Sequence, residues 1–139
     1  MANQVQMLIY EGFLAADPEM RFTPNGKNVT NFRIGSNREY KDANGTLVKE
    51  TIWLKITAWG HLAEIVDQWC ERGSHVLIFG YLRAGEGGNP ATYELKSGGW
   101  GSSYEVTAER VRILKGKNNT NGAKAPTGEI SGDDEELPY

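Results

Sequence analysis

The chain has little with which to build a disulfide, a metal centre or a membrane anchor. Among its 139 residues there is one cysteine, Cys70, and there are two histidines, His61 and His75. A lone cysteine excludes an internal disulfide, and with two histidines it does not complete a structural zinc site. The composition predicts a protein of a reducing compartment, the cytoplasm. No apolar run approaches the ~20 residues that cross a bilayer, so no membrane partner is expected. Met1-Ala2-Asn3-Gln4 is not a basic segment followed by an apolar one, so no signal peptide is expected. There is no Ser/His/Asp set, no paired carboxylates and no Gly-Lys-Ser/Thr phosphate loop. Neither an enzyme nor a cofactor is therefore expected.

Positive charge is also scarce overall, with a formal net charge of −3. Its distribution matters more than its sum. Residues 1–115 carry 13 Lys and Arg against 13 Asp and Glu, so the whole excess lies in residues 116–139. The body is neutral and leaves room for a local basic groove.

What is abundant is strand patterning. Val5–Leu14, Asn28–Arg38 and Lys49–Trp59 read as strands, with turns at Asp17-Pro18, Pro24-Asn25-Gly26 and Asp42-Ala43-Asn44-Gly45. In His61–Arg72 the period changes: Leu62, Ile65, Val66 and Trp69 recur at helical spacing, and Gly73 is the expected stop. Ser74–Arg83 is a fourth strand, apolar on both faces, as if covered twice, with a second subunit one candidate cover. A glycine-rich loop over 84–102, with a short hairpin arm near Thr92–Lys96, leads to a fifth strand at Ser103–Leu114. In that strand Tyr104, Val106 and Ala108 point inward, then a bulge near Glu109-Arg110 shifts the inward parity to Val111 and Ile113. Three strands, a helix and two strands is the order of the all-β, five-stranded oligonucleotide-binding (OB) barrel. The predicted organisation is an OB domain over 1–115, a flexible linker over 116–132 and an acidic tail over 133–139.

The third strand is the most informative. Ile52, Leu54, Ile56 and Ala58 share one face, and Thr51, Trp53, Lys55, Thr57 and Trp59 share the other. The first face suits a core. The second interleaves two indoles with a cation, which suits single-stranded nucleic acid: bases stack on the rings and the cation meets phosphate. Tyr40, at the end of the second strand beside Arg38 and Lys41, is expected to extend this platform. Phe22 divides evenly between platform and core. Trp69 lies on the helix's core stripe and is packing. Trp100, in Gly98-Gly99-Trp100-Gly101, has two readings, a mobile stacking residue or packing in an interface. Arg33, Lys49, Arg72 and Arg83 are candidates, with Lys55, for a phosphate path.

The C-terminus is the second informative stretch. Asp133, Asp134, Glu135 and Glu136 precede Leu137, Pro138 and Tyr139. An acidic run ending in a restricted apolar tip with a terminal carboxylate is a form that a partner protein can read.

Taken together, these segments resemble the bacterial single-stranded DNA-binding protein (SSB) family. The resemblance rests on Asp17-Pro18-Glu19-Met20-Arg21-Phe22-Thr23-Pro24-Asn25-Gly26, Tyr40, Trp53 to Trp59 and Gly60-His61-Leu62-Ala63-Glu64. It continues through Arg72-Gly73-Ser74-His75-Val76 to Gly80-Tyr81-Leu82-Arg83. It implies a homo-oligomer, usually a tetramer, that wraps single-stranded DNA without marked sequence preference. It implies stacking aromatics at Tyr40, Trp53 and Trp59, and a disordered acidic tail that recruits replication, recombination and repair proteins to the nucleoid. Three features depart from it, the first being a linker that is short for the family. Ala84-Gly85-Glu86-Gly87 stands where the family commonly has a further stacking tryptophan, and the tail ends Pro138-Tyr139 instead of Pro-Phe. A primosome-type OB accessory protein, with single-stranded DNA or RNA binding, is the alternative, but would not need the acidic tail. An OB-fold nuclease would need a carboxylate and arginine set around a metal.

Overall fold

The computed structural model describes residues 3–117 and the backbone of 129–131. Strands β1 (Leu8–Leu14), β2 (Glu19–Phe22), β3 (Asn28–Lys41) and β4 (Leu47–Trp59) precede the helix α1 (His61–Trp69). They are followed by β5 (His75–Leu82), β6 (Ala91–Glu94), β7 (Trp100–Lys115) and β8 (Glu129–Ser131). Five of these strands form the barrel, in the order β1-β5-β7-β4-β3, and β3 returns to β1 to close it. The β4–β7 pair is parallel and the other barrel pairs are antiparallel. This is the OB fold.

The core is the inward parity of each strand. Phe32 and Ile34 of β3, Leu54, Ile56 and Ala58 of β4, Val76 and Ile78 of β5 and Val106, Val111 and Ile113 of β7 are buried together. The expected bulge is present: Phe79 pairs with Arg110 but Gly80 pairs with Ala108, so Glu109 is skipped and the inward parity of β7 changes there. Closure needs close approach of two backbones. A Cβ on Gly12 would lie 2.6 Å from the Gly35 carbonyl oxygen, so only glycine lets β1 cross β3 at this point.

Helix α1 closes one end of the barrel with Leu62, Ala63, Ile65 and Val66. Buried Thr30 donates its hydroxyl proton to the Ala63 carbonyl at 2.7 Å, fixing the helix on β3. Trp69 packs against the core, as its place on the stripe requires. The helix ends at Trp69, three residues short of Arg72. Cys70 is already extended, its N–H still bonded to the Val66 carbonyl, and Glu71 and Ser74 close a turn of their own. Gly73, at φ 88°, serves that turn. Burial pushes the Cys70 thiol up from 9.0 to about 12, with Lys117 acting weakly the other way, so it stays neutral and unreactive.

Several boundaries move. The first strand begins at Leu8 rather than Val5, and the fifth begins at Trp100 because its start pairs with β6 as the arm. Tyr104 is not inward: β7 is leaving the barrel there, and its ring is 58% exposed. Leu82, aligned with the inward parity of β5, is exposed for the same reason at the end of its strand. On the outer face of the barrel, Leu77 and Phe79 of β5 are half-buried, and Ile9 and Phe13 of β1 are exposed beside them. Within the expected linker, the backbone of Glu129–Ser131 pairs with Arg110–Arg112 of β7. The rest of that span beyond Lys117, and the tail residues 133–139, lie outside the described residues.

Candidate nucleic-acid interface

The outward face of three adjacent strands brings the predicted residues into rows. Register pairs Gly35 with Trp53, Arg33 with Lys55, Asn31 with Thr57 and Val29 with Trp59 across β3 and β4. On the other side of β4, Lys55 pairs with Glu105 and Thr57 with Thr107. Directly paired residues share a face, so Trp53, Lys55 and Trp59 look outward from one surface. Trp53 is 49% and Trp59 45% exposed, while Ile56 between them is fully buried on the opposite face. Six residues of strand place the two indoles roughly 20 Å apart.

Each tryptophan stands beside a depression. Trp53 and Lys55 line a cleft of about 990 Å³ with Arg33, Tyr93, Tyr104 and Glu105. Its far wall is the β6–β7 arm. Trp59 lines a second, of about 700 Å³, with Lys27, Asn28, His61, Tyr81 and Thr107. Between them Thr57 donates its hydroxyl proton to the Asn31 side-chain oxygen at 2.9 Å. The surface is therefore a track: ring, cation, hydroxyls, ring.

Trp53 is laid down by what lies beneath it. A Cβ on Gly35 would fall 2.8 Å from Cζ3 of the indole, so the ring rests over the β3 backbone where there is no side chain. The Arg33 guanidinium lies 5.5 Å from the ring centroid, within cation–π range. Gly35→Ala is expected to lift the indole off β3 and weaken oligo(dT) binding. The loss should be non-additive with Trp53→Ala, because both remove the same stacking surface. Fluorescence titration of the two single variants and the double variant checks this. Full additivity, or no effect of Gly35→Ala, would refute the placement.

The other candidates fall in different places. Tyr40 lies on the same pleat parity as Ile34, opposite to Trp53 and Trp59, on the part of the β3–β4 ribbon that extends past the barrel. Its hydroxyl donates to Glu50 at 3.2 Å and Arg38 covers its ring at 4.9 Å. Lys49 pairs with Glu39 on that same ribbon, at 3.8 Å. Phe22 is 67% exposed at the end of β2, which removes it from the core. Arg72 lies in the turn after α1, where its backbone N–H donates to Asp17 at 2.8 Å, and it lines neither depression. Arg83 follows β5 and reaches Glu105 at 3.9 Å. Trp100 is 72% exposed at the start of β7, in the arm.

Tyr93, Tyr104, Gly35 and Glu105 were not among the residues expected at the site, yet all border the first cleft or shape it. The signal for Tyr93 was present: an antiparallel arm places it across from Gly101, next to Trp100. Among the described residues no group of three or more His, Cys, Asp or Glu could hold a metal ion, and no helix is long and apolar enough to cross a membrane.

Known proteins share both sequence and fold with this chain. The Single-strand binding protein family matches residues 3–114. A Single-stranded DNA-binding protein from Neisseria meningitidis (strain Z2491) is 33% identical over 115 residues, covering 83% of this chain and 63% of its own length. Single-stranded DNA-binding protein 1 of Chlorobaculum tepidum is 31% identical over 122 residues, covering 88% of this chain and 72% of its own. The chain thus spans less than two thirds of the Neisseria relative. Among solved structures, a deletion variant of the single-stranded DNA binding protein from Thermus aquaticus superposes with a TM-score of 0.64 at 23% identity. That match covers 84% of this chain and 54% of the other. The Plasmodium falciparum SSB, in complex with ssDNA, superposes at 0.62 and 15% identity, over 81% of this chain and 96% of its own. A barrel of this topology, matched in sequence along almost the whole of its described length, belongs to the single-strand binding protein family.

Proposed function

We propose that this protein binds single-stranded DNA with little sequence preference, as a non-enzymatic coat that protects the strand. The observation that carries the reading is the outward row of β4: two half-exposed indoles on either side of Lys55, with a complete core on the opposite face. Bases stack on Trp53 and Trp59, which every base can do. Lys55, Arg33 and Arg83 neutralise phosphates. Tyr93 and Tyr104 approach the strand from the far wall of the first cleft, and Trp100 from the end of the arm beyond it. DNA that continues onto the outer ribbon meets Lys49 on the tryptophan face and Tyr40 where it passes to the other face, and Phe22 and Arg72 are peripheral contacts.

The working form in this proposal is a homotetramer. The apolar outward face of β1 and β5, with Ile9, Phe13, Leu77 and Phe79, supports self-association, since lone barrels seldom leave such a face to water. The acidic tail at 133–139 recruits replication, recombination and repair proteins to the coated strand in the nucleoid, at the end of a linker over 116–132. Deleting residues 133–139 is expected to leave oligo(dT) affinity within about twofold, since the stacking rows are intact. It should abolish capture of those proteins on DNA-loaded beads. Loss of DNA binding on deletion, or unchanged capture, would overturn this division of labour.

A further inference from the structure

The row that carries Lys55 also carries a carboxylate. Parallel pairing of β4 with β7 sets Glu105 directly beside Lys55 on the outward face. The Glu105 Oε1 atom lies 3.8 Å from the Lys55 ammonium and 3.9 Å from an Arg83 guanidinium nitrogen. Its side chain is only 12% exposed, whereas Lys55 and Arg83 are 50% and 61% exposed. The Arg83 N–H donates to the Glu105 carbonyl at 2.7 Å, which anchors the arginine's backbone alongside. Glu105 borders the cleft beside Trp53 and also an adjoining one of about 400 Å³ that contains Arg83, so it stands where the two meet.

We propose that Glu105 is an affinity-limiting residue, a built-in competitor that occupies two of the cations of the phosphate path. The proposal rests on the reading that this face binds single-stranded DNA. A carboxylate and a phosphodiester present the same thing to Lys55 and Arg83: a pair of oxygens sharing one negative charge. In the free protein Glu105 already supplies that charge. An incoming phosphate must then share both cations with a fixed anion that repels it at short range. Fewer counterions are displaced from the strand than the number of nearby cations suggests. The effect is a strand held firmly by stacking and loosely by charge, which lets bound DNA be handed on.

The test is oligo(dT) titration of the full chain and of Glu105→Gln across a salt series, with circular dichroism to confirm the fold. Glu105→Gln should bind about tenfold more tightly, and its plot of log affinity against log salt should steepen by about 0.7 for each cation released. Glu105→Thr, whose side chain suits a strand, carries the same test should the amide variant melt early. Unchanged or weaker binding by folded variants, with the parent protein still binding, overturns the role of Glu105 and leaves the DNA-binding reading standing. A parent protein that does not bind oligo(dT) removes the reading itself.

Discussion

Replacing Trp53 with alanine lowers oligo(dT) affinity about tenfold or more and leaves the barrel's melting temperature within a few degrees of the parent. The first half follows from stacking, which is worth about 1–3 kcal/mol per base, set against about 1.4 kcal/mol per factor of ten in affinity. Trp53 also forms one wall of the cleft that it shares with Lys55, Tyr93 and Tyr104, so truncation removes a surface and widens the cleft together. The second half follows from the position of the ring. Nearly half of it is in water, and it rests on Gly35 rather than among core side chains. Fluorescence or filter-binding titration beside a thermal melt measures both halves. A folded Trp53→Ala protein of unchanged affinity would remove the stacking platform from the account.

Three residues along the same strand, the opposite result is expected. Ile56 is fully buried, paired with Phe32 of β3 and Val106 of β7. Ile56→Ala leaves a cavity at the centre of a closed barrel, where neighbouring strands are hydrogen-bonded on both sides and cannot collapse inward. Such truncations cost about 2–5 kcal/mol. For a domain of this size that is a fall in melting temperature of roughly 10 °C or more. Below that temperature the variant should still bind oligo(dT) with near-parent affinity, because its outward face is unaltered. A thermal melt with a binding titration at low temperature separates the two. A variant that is stable but binds poorly would mean that the faces of β4 have been assigned the wrong way round.

The contrast between Trp53 and Ile56 is legible in the sequence because strand parity is a local property. It needs only the pleat and an alternation of side chains. The bulge at Glu109 is legible for the same reason, as a break in that alternation. The placement of Tyr40 depends on more. The turn at Asp42–Gly45 fixes the β3–β4 register, and counting back from it sets Gly35 opposite Trp53 and puts Tyr40 on the other face. That count needs only the residue numbers and the turn, whereas the expectation that Tyr40 extends the platform comes from its place beside the third strand of an OB barrel.

Other features cannot be reached in that way. Tyr104 has the parity of Val106, and only the path of β7 as it leaves the barrel to pair with β6 exposes it. Glu105 meets Lys55 through a parallel pairing between strands some fifty residues apart, which no local pattern encodes. The early end of α1 goes with tertiary packing: Cys70 is already extended and its side chain is buried in the core cluster. In each case what the sequence alone leaves open is where one strand or helix stops following its own period and begins to follow its neighbours.

The proposed DNA face depends on bases stacking on the outward tryptophans of β4. Tryptophan fluorescence of the full chain, titrated with oligo(dT) at rising salt, tests it most directly. Stacking there gives quenching that saturates on binding, is reversed as salt rises, and is largely lost in a Trp53→Phe/Trp59→Phe variant that retains Trp69 and Trp100. Emission that does not change while the DNA is bound, or quenching that the double variant keeps in full, would contradict it.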